Sequence, residues 1–100
     1  MYYEGLRGTV EVEYKWFPKT PTSFDLTDTT KKPSLSTLQQ KWLRRAAANR
    51  RAVAVIAGTP AGGIILPGLA WDGLITPKSE EFLSTIEVAQ WLCQQIMNPS

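Results

Sequence analysis

The stretch "VEVEYKWF", residues 10–17, alternates apolar and charged side chains. Successive side chains leave a strand on opposite faces, so Glu11, Glu13 and Lys15 share one face while Val10, Val12, Tyr14 and Trp16 share the other. A carboxylate and an ammonium two residues apart suit metal-assisted phosphodiester hydrolysis. There Glu13 would hold Mg2+ or Mn2+, and the cation would polarise a phosphate and lower the pKa of a bound water. Lys15 would position or activate that water and stabilise charge near the phosphate. On a solvated face the same charges would be ordinary cross-strand pairs with no chemistry.

Composition narrows the alternatives. The chain has no histidine, which excludes Ser-His-Asp and Cys-His nucleophile systems and histidine zinc sites. Its single cysteine, Cys93, excludes an intrachain disulfide and a cysteine metal cluster. Any catalysis falls to carboxylates, lysine and a hard cation.

A second constellation is Ser36-x-x-Gln39, the spacing of a capping box that opens a helix over about residues 35–48. At 100° per residue, Leu35, Leu38, Trp42 and Ala46 form an apolar stripe with Leu43 at its edge, and Gln39 falls inside it. An amide turned toward a sheet needs a partner. A carboxylate or a metal-bound water would serve. The net charge is only +2, yet Lys31, Lys32, Lys41, Arg44, Arg45, Arg50 and Arg51 crowd the middle of the chain. Such a segment fits a phosphate backbone, and equally a solvated helix face.

These residues need elements to position them. The alternation over 8–17 predicts a strand, with Gly5 and Gly8 turning back to an earlier strand at Tyr2 and Tyr3. Residues 18–33, with three prolines, read as a loop in which "SFDL" forms a brief extended piece. "AVAVIAG", residues 52–58, is apolar on both faces and predicts a central covered strand. "GTPAGG" turns the chain into a short strand at 64–66. A last helix opens at the capping box of Ser84 and Glu87, with Leu83 and Val88 as a hydrophobic staple. Its expected buried stripe is Ile86, Ala89, Leu92, Cys93 and Ile96, which makes Cys93 a core residue. The 100 residues suit one α/β (α+β) domain, with a small mixed sheet of roughly three to five strands and two main helices. No apolar run is long enough to span a bilayer, and the start lacks a signal-peptide pattern.

Taken in order, these pieces resemble the VRR-NUC branch of the PD-(D/E)XK nucleases, a Holliday-junction-resolvase-like group common in phages. The shared order is a strand with E-x-K, a variable loop, S-x-x-Q opening a helix, a basic turn and an apolar strand. The resemblance covers roughly residues 9–66 and extends loosely to "STIEVAQWL". It implies a restriction-endonuclease-like core and a Mg2+- or Mn2+-dependent DNA endonuclease. Glu13 and the backbone carbonyl of Tyr14 would be metal ligands, Lys15 the catalytic lysine, and Gln39 the group that places the lysine or a metal-bound water. Ser36, Lys31, Lys32, Lys41, Arg44 and Arg45 would contact DNA.

One departure is large. The family carries an aspartate on the strand before E-x-K and a glutamate-bearing helix before that. Only twelve residues precede Glu13, and none is aspartate. Glu4, across the Gly5–Gly8 turn, is the expected substitute ligand, with Asp25 or Asp28 as alternatives from the loop and Glu11 as a spare. The chain is therefore expected to be a truncated, late-started or degenerate member lacking a full first helix, with a homodimer covering the exposed sheet face. Its expected place is the cytoplasm of a bacterium or a phage-infected host. A nuclease fold that only binds nucleic acid or a partner, and an unrelated module with a solvated strand face, are the competing readings.

Overall fold

The structure, a computed structural model, describes residues 2–4 and 9–97, and for residues 2–4, 9, 96 and 97 the backbone alone. Four strands form one sheet in the order β1-β2-β3-β4: β1 Tyr2–Glu4, β2 Thr9–Trp16, β3 Ala52–Thr59 and β4 Gly62–Pro67. β1 is antiparallel to β2, β2 parallel to β3, and β3 antiparallel to β4. The mixed sheet and two helices are the α+β architecture that the sequence predicts. Helix α1, Thr37–Ala48, is the crossover between the parallel strands, and α2, Thr85–Met97, closes the fold.

The two faces of the sheet are built differently. One face is covered by α1 and by the loop before it. Leu43 and Ala46 of α1 pack with Phe17, Phe24, Leu26 and Leu35 over Val53, Val55, Ala57, Ile64 and Leu66, and Trp71 completes this cluster. The loop therefore supplies core residues. Its "SFDL" piece is extended, since Phe24 and Ile75 exchange backbone hydrogen bonds at 2.9 and 2.8 Å. On the opposite face Val10, Val12 and Ile56 pack with Ala52, Ile65 and two residues of α2, Val88 and Leu92.

Both helices begin at the expected capping boxes. Ser36 Oγ accepts from the Gln39 N–H while the Ser36 N–H donates to Gln39 Oε1. Ser84 and Glu87 make the same reciprocal pair. The helices are rotated from the predicted stripes, however. In α1 the buried residues are Gln40, Leu43 and Ala46, whereas Leu38 is 76% exposed and Trp42 also faces outward. Leu35 lies before the N-cap, where its N–H donates to Leu26 O, so it does not belong to the helical stripe. Gln40 is buried because its Nε2 donates to the carbonyls of Leu35 and Thr27, tying the loop to the helix.

In α2, Ile86, Ala89 and Cys93 are exposed, so Cys93 is not a core residue. The chain before the helix sets this rotation. Gly63 and Leu83 exchange backbone hydrogen bonds at 2.8 Å, which fixes the entry angle and turns Val88 onto the sheet. Gly62 makes the close approach possible: its φ is +137°, and a Cβ there would lie 2.7 Å from the Leu83 carbonyl oxygen.

Candidate functional site

Glu11, Glu13 and Lys15 lie on the α1 face of the sheet, in register with Val53, Val55 and Ala57. That face of β2 carries charge because it runs along the border of the dry cluster rather than through its centre. All three side chains are partly buried.

Gln39 reaches this face. Its Nε2 donates to Glu13 Oε2 at 3.2 Å. The capping box fixes the direction of the amide: with Oε1 held by the Ser36 N–H at 3.0 Å, only the NH2 end is left for the carboxylate. The amide of Gln39 is thus both a cap and the partner of Glu13. Lys15, Ser36 and Gln39 line one depression of about 570 Å3 with Thr29, Ser34 and Thr37. Lys32 joins Lys15 on an adjoining depression of about 430 Å3. Glu13, Lys15, Ser36, Gln39 and Lys32 are therefore brought together.

The remaining residues stand as follows. Lys31, Lys41 and Arg45 are exposed. Arg44 is engaged locally, with Asp72 at 3.0 Å and the Trp71 ring 5.0 Å from its guanidinium carbon. Glu4 pairs by backbone register with Thr9, four residues along β2 from Glu13, and its side chain lies outside the described residues. Asp25 and Asp28 are held in their own turns. Asp25 Oδ1 accepts from the Thr27 N–H at 2.9 Å and Asp28 Oδ1 from the Thr30 N–H at 3.0 Å. The hydroxyl of Thr30, then its N–H, hold the Asp28 carboxyl below its ordinary value of 3.8.

The backbone of β2 adds a further oxygen. The Phe17 N–H donates to Gly58 O, so by strand alternation Lys15 and Glu13 direct their backbone groups at β3 and Tyr14 directs its own away. Among the described residues β1 reaches no further along β2 than Glu11, and no strand there pairs with the Tyr14 carbonyl. Glu11 is not a plain surface charge. Its side chain is 15% exposed; Oε1 meets Arg51 at 3.2 Å, and Oε2 is buried with no hydrogen-bond partner among the described residues. Among the described residues, no group of three or more His, Cys, Asp and Glu side chains is placed to hold a metal. What does exist is a short row of hard oxygen donors: Glu13, the Tyr14 carbonyl and Glu11. That chemistry suits Mg2+, which takes one or two carboxylates and keeps several waters.

Periodicity did not point to the buried amide of Gln40 or to the exposed pair Tyr14 and Trp16. Adjacent glutamines after a capping serine are a signal for the first; the second rests on the pairing of Trp16 with Gly58 across the sheet, which the sequence does not show. No family model, curated protein or solved structure matches the chain.

Proposed function

We propose that this chain is a metal-dependent DNA endonuclease of the VRR-NUC kind, with its site on the α1 face of β2. The observation that carries this reading is the hydrogen bond from Gln39 to Glu13 beside Lys15. It joins the two motifs whose order first suggested a nuclease, across 26 residues of chain.

In this reading Glu13 and the Tyr14 carbonyl would hold the cation, and the orphan oxygen of Glu11 supports Glu11 in the place of the missing aspartate. A bound divalent cation supplies charge stabilisation at the phosphate and a more acidic water. Gln39 orients the Glu13 carboxylate and uses one of its two oxygens. The Ser36 N–H keeps the amide from flipping. Lys15 places positive charge beside the scissile phosphate, where a fixed charge in a partly dry site acts more strongly than in water. Lys32 and the exposed Lys31, Lys41 and Arg45 give affinity without reading sequence. The partners are DNA and a second copy of the chain, in the cytoplasm of a bacterium or infected host.

The test is cleavage of branched and linear DNA with Mg2+ or Mn2+. Cleavage is expected with either ion, and should vanish with a chelator and in Glu13→Ala. If the protein cleaves nothing under these conditions, the nuclease reading fails. A second reading, a nuclease fold kept only for binding, is favoured because no three His, Cys, Asp or Glu side chains are grouped to hold a metal among the described residues. It predicts salt-sensitive DNA binding that survives Glu13→Ala, with no cleavage.

A further inference from the structure

The face of β2 opposite Glu13 and Lys15 carries Tyr14 and Trp16, which are 55% and 52% exposed. They do not simply project into solvent. Both lie across Gly58 of β3, where an added Cβ would stand 2.3 Å from Tyr14 Oη and 2.9 Å from Trp16 Cε3. Gly58 is the seat that lets two aromatic side chains fold down beside each other. With the β3–β4 turn at Pro60 and the chain before α2 at Leu83, they wall a cleft of about 550 Å3. Among the described residues, no lysine, arginine, aspartate or glutamate lines it. A neutral cleft walled by flat aromatic side chains suits a nucleobase better than a phosphate, because every base offers a stacking face and needs no charge in return.

The position of the cleft gives it a role. Among the described residues, the 13–16 segment of β2 is a sheet edge beyond the reach of β1. A nucleic-acid strand crossing that edge would meet Glu13 and Lys15 on one side and Tyr14 and Trp16 on the other. We propose that the Tyr14–Trp16 cleft takes an unpaired base of the DNA whose backbone lies at Glu13 and Lys15. The preferred substrate is then DNA with a single-stranded segment next to the cut. This inference rests on the nuclease reading and names the substrate class of the same site.

The experiment measures binding of a short thymidine oligomer to the full chain in EDTA, and separately Mn2+-dependent cleavage of a fully paired duplex. Trp16→Ala and Tyr14→Ala should each weaken oligomer binding by roughly five- to 150-fold, while Trp16→Phe keeps most of it. Paired-duplex cleavage by Trp16→Ala should stay near the wild-type rate. Oligomer binding unchanged in both alanine variants overturns the proposal. So does a wild-type dimer that Trp16→Ala turns into a monomer by sedimentation, since the cleft would then be covered by a second copy. Loss of cleavage in Glu13→Ala with oligomer binding retained tests the catalytic reading separately. If neither protein cleaves but Trp16→Ala still loses the oligomer, base binding stands and the nuclease reading alone has failed.

Discussion

The two faces of the sheet divide the work of the protein unequally. On the α1 face, twelve buried residues from β3, β4, α1, Trp71 and the loop form one cluster among the described residues. On the α2 face the buried residues among those described are Val10, Val12, Ala54, Ile56 and Gly58, and partly covered residues make up the rest. Full burial of one large apolar side chain is worth about 1.5–3 kcal/mol, so the first face dominates stability. The 13–16 end of β2 lies at the border of both faces. It can carry charge on one and open aromatics on the other without breaking either layer. The lesson is that a strand at the rim of a core is free to hold a site, whereas β3 at its centre is not.

Substitutions in the two helices should expose this asymmetry. Leu43→Ala, at a fully buried position on α1, should cost about 2–5 kcal/mol in urea unfolding. Ile86→Ala, at a 70% exposed position on α2, should stay within about 0.5 kcal/mol. Equal losses would show that α2 buries far more than its half-covered packing implies.

The adjacent glutamines sharpen the comparison inside one helix turn. Gln40→Ala leaves the Leu35 and Thr27 carbonyls without their donor and should cost about 1–3 kcal/mol. Gln39→Ala loses an exposed half of a cap and should cost about 1 kcal/mol or less. Cleavage should reverse the order, with Gln39→Ala the more damaging variant. Thermal melts and cleavage rates on the same two proteins check both halves.

The capping boxes, the alternation of β2 and the apolar run of β3 were legible in the sequence because each is a local pattern. The contact between Gln39 and Glu13 was legible in part, since a polar side chain turned toward the sheet requires a partner. Helix rotation was not legible. On α1 the count began at Leu35, which lies before the N-cap, and the buried stripe runs instead through a glutamine satisfied by loop carbonyls. On α2 two stripes compete in the sequence, and the Gly63–Leu83 backbone pair, a long-range contact, selects the one with Val88 and Leu92. The cleft at Tyr14 and Trp16 depends on the register of β2 with β3, which periodicity within one strand does not contain.

The smallest expected effect concerns the loop. Asp28 has a depressed carboxyl pKa in the folded protein, from the Thr30 hydroxyl first and the Thr30 N–H second. A depressed carboxyl stabilises the fold above its unfolded value and loses that contribution as pH falls through the folded one. Asp28→Asn should therefore make unfolding slightly less pH-dependent only in the acid range, below about the ordinary value of 3.8. An unfolding series against pH in wild type and variant checks it: the two should differ at neutral pH and converge in acid, and a gap of the same size at every pH would contradict it.

The most direct test of the central claim is the single-turnover rate of Mn2+-dependent DNA cleavage by Glu13→Gln beside the wild type. This substitution keeps the size of the side chain and an oxygen for the Gln39 amide, and removes only the charge. If Glu13 holds the cation, the rate should fall by roughly a hundredfold or more while the fold is unchanged. A variant that cleaves at the wild-type rate would place the chemistry elsewhere.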